Sequence, residues 1–177
     1  MRFVPEGLRQ CNQVTCGPAV AIVASALLDP IYRANLADAD WFAAEQSRVH
    51  AAANRIWPRA LGTTPPAMTA SINGHGAGYG WRIWRRGDAL ADVEHAVRAE
   101  QPVAMLIGTV IPRHWVLIVD WRADCLDCYE ASSGEVRPVF AAAVSRGRVD
   151  VLGFPRVFAF VLPRLRRSAH PRDQSNI

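Results

Sequence analysis

The chain has 177 residues, half of them hydrophobic and a fifth charged, a composition that fits one globular domain and excludes a disordered or fibrous protein. Its formal net charge of +4 comes from arginine alone, and four of the twenty arginines (Arg164, Arg166, Arg167, Arg172) crowd the C-terminal stretch, so no nucleic-acid-binding face is expected. The N-terminus carries no apolar signal core, and the longest apolar run, 19–28, is too short to span a bilayer; the expectation is a cytoplasmic protein with no membrane partner. In such a reducing compartment Cys11, Cys16, Cys125 and Cys128 are expected to be thiols rather than disulfides.

Along the chain, Cys16-Gly17-Pro18 precedes AVAIVASALL, a stretch apolar enough for a helix buried on every side, with Pro18 tolerated in the first turn and Pro30 ending it. Residues 37–57 space Trp41, Phe42, Val49, Ala53, Ile56 and Trp57 as one helical face that would cover the first helix, and Pro58 stops it. Thr64 stands as a cap before Pro65-Pro66 and a helix ending near Asn73. The glycine-rich loop GHGAGYG (74–80) then leads into a strand-like WRIWR, and Asp88 is expected to cap a helix over 89–100.

From Pro102 the pattern turns to strands at 103–110, 114–121, 125–130, 136–140 and 157–163, with a helical turn or two at 141–147. Helices first and a mostly antiparallel sheet afterwards, with the helices expected on one side, make the fold class α+β. A single domain is expected over 1–165, with 166–177 as a flexible tail.

A thiol is a nucleophile only as thiolate, and a helix N-terminus beside a base favours that form. Cys16 heads the first helix, and Gly17 removes a side chain that would crowd an incoming substrate backbone. Six residues upstream, the Gln10 amide can donate to a developing oxyanion together with the Cys16 N–H; Gln13 is the competitor. Of the five histidines, His114 lies at a strand start and is the expected base, with His75 in the glycine loop as its rival. A tight hairpin turn near Arg122-Ala123 places His114 opposite Glu130 or Ala131, which makes Glu130 the carboxylate to orient the imidazole. Gly76 and Tyr79 of the glycine loop are expected to line the cleft and grip a peptide backbone.

The segments QCNQVTCGPAV, HWVLIVD and YEASSGEV together resemble a papain-like cysteine peptidase, most closely the bacteriocin-processing type that trims leader peptides after double-glycine sites. The resemblance spans roughly residues 9–138. It implies a papain-like fold, a peptide or protein substrate, no cofactor and no metal. It also implies Gln10, Cys16, His114 and the position of Glu130 as working residues. The family's usual Asp-Pro-Ala stretch stands here as Glu130-Ala131-Ser132.

Three other readings stand beside this one. A deamidase, transglutaminase or cell-wall amidase would employ the same Cys-His pair, and an inactive peptide-binding module would follow if the altered third position abolished catalysis. Cys125 and Cys128 have the spacing of a zinc or redox pair, but no second pair of ligands accompanies them, so they are expected to fill hairpin positions.

Overall fold

In the computed structural model, which describes residues 6–12, 14–53 and 62–164, α1 (Cys16–Leu28) is buried at every position from Cys16 to Ala26. That is the environment its nearly all-apolar sequence demands. Pro30 does end this helix, but it also opens the next: Asp29 accepts from the N–H groups of Ile31 and Tyr32 and caps the short α2 (Pro30–Arg33). After a 3-10 turn at Ala34–Ala37 comes α3 (Ala39–Ala53), which buries Phe42, Glu45, Gln46 and Val49 against the core. The expected positions Ile56 and Trp57 lie outside the described residues. Thr64 caps α4 (Pro65–Asn73) by accepting from the Ala67 N–H at 3.3 Å.

Next come β1 (Tyr79–Ile83), α5 (Ala91–Arg98), β2 (Val103–Gly108), β3 (Pro112–Arg122), β4 (Cys125–Glu130), β5 (Glu135–Phe140), α6 (Ala141–Ser145) and β6 (Arg156–Pro163). Asp88 does not cap α5 directly. Leu90, at φ 56°, holds the N-cap position, while the Asp88 carboxylate accepts from the Leu90 N–H and from Arg82 of β1. The six strands form one sheet in the order β1-β6-β2-β3-β4-β5, antiparallel throughout.

The helices are not all on one side. Strand alternation sends Trp115, Leu117 and Val119 toward α1, with Ala104, Leu106 and Tyr129 from neighbouring strands. It sends Val116, Ile118, Met105 and Ile107 to the opposite face, where Leu90, Val93 and Val97 of the α5 region cover them. The continuous apolar runs of β2 and β3 follow from this, because a strand buried on both faces has no polar side to alternate with. Among the described residues, no helix is long and apolar enough to cross a membrane.

Candidate active site

Cys16 is the first residue of α1, and Thr15 at the N-cap offers no side-chain oxygen to the first turn. The Thr15 hydroxyl is turned back to Asn12 instead, accepting from its N–H and donating to its carbonyl. The opening N–H groups of α1 are therefore not capped by a side chain, and the positive end of the helix dipole lies at the sulfur. The thiol is 3% exposed and lies 4.0 Å from the Arg113 carbonyl at the start of β3.

His114, the next residue along β3, is 6% exposed, is hydrogen-bonded to Glu130 and lines the same cleft as Cys16. Its Nε2 lies 2.7 Å from Glu130 Oε1, which leaves Nδ1 as the ring nitrogen available to the sulfur. Burial alone would lower the imidazole's proton affinity. Interaction with the Cys16 and Glu130 side chains outweighs it and raises the pKa from 6.5 to about 9. Phe154 stacks on the imidazole at a centroid distance of 5.3 Å and an interplanar angle of 22°.

The register corrects the route by which Glu130 arrives. The hairpin turns on Ala123 and Asp124, further along than expected, and the bulge between Ile118 and Asp120 moves the pairing back by one residue, so Glu130 faces Val116 rather than His114. Glu130 shares a face with His114 but sits diagonally across the ladder, a separation of roughly 7–8 Å between backbones. The longer glutamate side chain covers that diagonal. Its carboxylate is then fixed by the Ser132 N–H at 2.9 Å, the Ser132 hydroxyl at 2.7 and 2.6 Å, and the Ser133 N–H at 2.9 Å. Burial would raise its pKa, yet the hydrogen bonds from His114, Ser132 and Ser133 hold it well below the ordinary carboxylate range.

Gln10, Cys16 and His114 share the wall of one cleft of about 490 Å³ with Val14, Gly62, Ile111, Pro112, Arg113, Ser132 and Phe154. The Gln10 Nε2 donates to the Asn12 carbonyl at 2.8 Å, which leaves one of its two protons unassigned. Gln13, its competitor, lies outside the described residues. His75, the rival base, instead makes a 3.7 Å contact with Asp29 and packs on the Tyr32 ring.

Gly17, Gly76 and Tyr79, expected to meet substrate, are not among the residues that line this cleft. Gly76 and Tyr79 border a different cavity, which also includes Leu28 at the far end of α1, about 18 Å of helix from Cys16. Tyr79 is 1% exposed and donates its hydroxyl to the Pro102 carbonyl at 2.9 Å, so it is a core residue and not a peptide grip. Gly17 does permit a close approach, but by the chain itself: a Cβ there would collide with the Thr63 side chain, whose carbonyl accepts from the Trp115 indole at 2.7 Å. Cys125 and Cys128 are free thiols in β4, and burial pushes the Cys128 pKa up.

Ser132, Ser133 and Phe154 escaped the sequence reading. Ser132 and Ser133 follow Glu130 directly in a turn-forming run, the pattern in which serine N–H and hydroxyl groups bind a preceding acid, so that signal was present. Phe154 arrives from a loop forty residues beyond His114, and no local pattern announces it.

No protein-family model matches the sequence, and no curated protein matches it. Among solved structures, the peptidase domain of Streptococcus ComA, a bifunctional ABC transporter involved in a quorum-sensing pathway, superposes with a TM-score of 0.52 at 13% identity, over 91% of this chain and 100% of that one. A double-glycine-motif protease from an AMS/PCAT transporter, solved with a leader peptide, aligns over 92% of this chain and 94% of that one with a TM-score of 0.49 at 11% identity, too distant to add weight. The likeness establishes architecture: the chain has the α+β fold of the ComA peptidase domain, the arrangement implied by its resemblance to bacteriocin-processing peptidases.

Proposed function

We propose that the chain is a papain-like cysteine peptidase that hydrolyses a peptide bond through a thioacyl intermediate on Cys16. One observation carries this reading: a buried imidazole, His114, is hydrogen-bonded to a carboxylate and shares one cleft with a sulfur at a helix N-terminus.

The Cys16 thiolate attacks the scissile carbonyl carbon, and the carbonyl electron pair moves onto oxygen. That oxygen accepts from the Cys16 N–H at the head of α1 and from the Gln10 amide. With a pKa of about 9, His114 carries a proton at neutral pH and gives it to the departing amine nitrogen as the carbon–nitrogen bond breaks. The neutral imidazole then takes a proton from water, whose oxygen displaces the sulfur and restores the thiolate and imidazolium. Glu130 holds the Nε2–H throughout, which keeps Nδ1 turned to the sulfur.

The substrate is a peptide or protein lying in the cleft lined by Val14, Gly62, Ile111 and Phe154. Purified protein should cut a subset of a diverse peptide library, and Cys16→Ala should abolish every cut. Products that gain one water across two fragments support hydrolysis of the backbone. An intact peptide converted only from amide to acid makes the chain a deamidase, and a library untouched by the native protein contradicts the peptidase reading.

A further inference from the structure

The segment carrying Gln10 is held from two sides. Toward β4, the Gln10 N–H donates to the Ala131 carbonyl and the Gly7 N–H to the Gly134 carbonyl, both at 2.8 Å, and the Tyr129 hydroxyl donates to the Leu8 carbonyl at 2.7 Å. Gly134, at φ 68°, allows this strand-like contact, because a Cβ there would strike Arg9 and the Leu8 carbonyl. Toward α3, a single side chain does the holding. Gln46 donates its Nε2–H to the Arg9 carbonyl at 3.1 Å and accepts from the Cys11 N–H at 2.9 Å on its Oε1.

Gln46 is 0% exposed. It lies four residues after Phe42 and three before Val49, on the buried stripe of α3, where an apolar side chain would be the ordinary occupant. Its amide spans one donor and one acceptor on the residues flanking Gln10. That is the pairing a neighbouring strand would supply, and it fixes the backbone from which the Gln10 side chain enters the cleft.

We propose that Gln46 is the positioning residue of the oxyanion side of the site: it never touches substrate, and it sets the orientation of the Gln10 amide by clamping Arg9 and Cys11. This rests on the peptidase reading above and adds to it a residue whose amide bonds to Arg9 and Cys11 rather than to Cys16, His114 or Glu130. The distinction has a kinetic signature. Acyl transfer to a thiol passes through an oxyanion, whereas alkylation by iodoacetamide is a displacement at carbon with none, so loss of oxyanion positioning slows the first reaction alone.

The test uses p-nitrophenyl acetate and iodoacetamide as probes on the full chain, reading in each case the part of the rate that disappears in Cys16→Ala. Gln46→Met, which keeps the volume and removes both hydrogen bonds, should slow acylation by about 10- to 100-fold, less than or equal to outright loss of an oxyanion donor, and leave alkylation unchanged. Gln10→Ala should do the same, and Gln46→Met added to Gln10→Ala should cost little more, because the two act through one group. Gln46→Glu, isosteric and able to keep both bonds when protonated, should recover acylation as pH falls. Equal slowing of both probes, full additivity with Gln10→Ala, or acylation unaffected by Gln46→Met would overturn the role of Gln46 while leaving the peptidase reading intact. Acylation that is the same in Cys16→Ala would instead remove the reading on which it rests.

Discussion

At the scale of single residues, the account turns on the charge that Glu130 places against His114. Replacing it with glutamine keeps the shape and removes the charge, so the imidazole loses one of the influences that raise its pKa to about 9. Glu130→Gln should lower kcat/KM on the order of a hundredfold and move the alkaline limb of its pH profile to lower pH. A profile that keeps its alkaline limb in place would show that the carboxylate does not set the state of His114. Gly17→Ala tests a different contact: the new methyl meets Thr63, and the resulting overpacking should destabilise the fold by about 1–3 kcal/mol in urea titrations. That Cys16, Gln10 and His114 share one cleft was legible because each stands in a distinctive local context: a helix head, an amide six residues before it, and a strand start. Ser132 was readable in principle from its spacing to Glu130. Phe154 and Thr63 were not, since only the tertiary fold brings them to His114 and Gly17.

At the scale of elements, the β3–β4 hairpin shows how the carboxylate that meets His114 can be named through an inexact register. Counting across a tight turn is reliable only while pairing is regular, and the bulge between Ile118 and Asp120 displaces every partner beyond it. Here the bulge moves Glu130 from a position opposite Leu117 to one opposite Val116, on the face of His114, and its side chain crosses the remaining diagonal. The turn carries its own cost: Ala123 takes φ 50°, a conformation that disfavours any residue with a Cβ. Ala123→Gly should therefore raise stability by about 1 kcal/mol without altering activity, measured by the denaturation midpoint and by turnover. A lowered midpoint would mean that the alanine is at ease there. The glycine loop at 74–80 was the opposite case. Its composition announced a close backbone approach, but composition carries no information about which end of α1 the loop reaches.

At the scale of the whole molecule, the sheet separates two apolar layers, and the candidate site lies at the end of α1 where the start of β3 meets it. The two-sided cover was obscured because α5 was placed from a cap at Asp88, which says where a helix begins and not which sheet face it meets. The site also couples stability to pH. Glu130, held below its ordinary value of 4.5, contributes stability above that pH that fades as acid protonates it in the folded state. His114, raised from 6.5 to about 9, contributes in full below pH 6.5 and loses its contribution as pH climbs through 9. Urea midpoints should therefore be higher near pH 5.5 than near pH 9.5, and His114→Asn should flatten that alkaline decline; an identical slope in the variant would assign the decline to other groups.

The most direct measurement is acid-quench mass spectrometry of the protein during peptide turnover. The account predicts an acyl group in thioester linkage on the peptide bearing Cys16, absent from Cys16→Ala and absent from Cys11, Cys125 and Cys128. Turnover that persists in Cys16→Ala, or an acyl group carried by any other side chain, would contradict it.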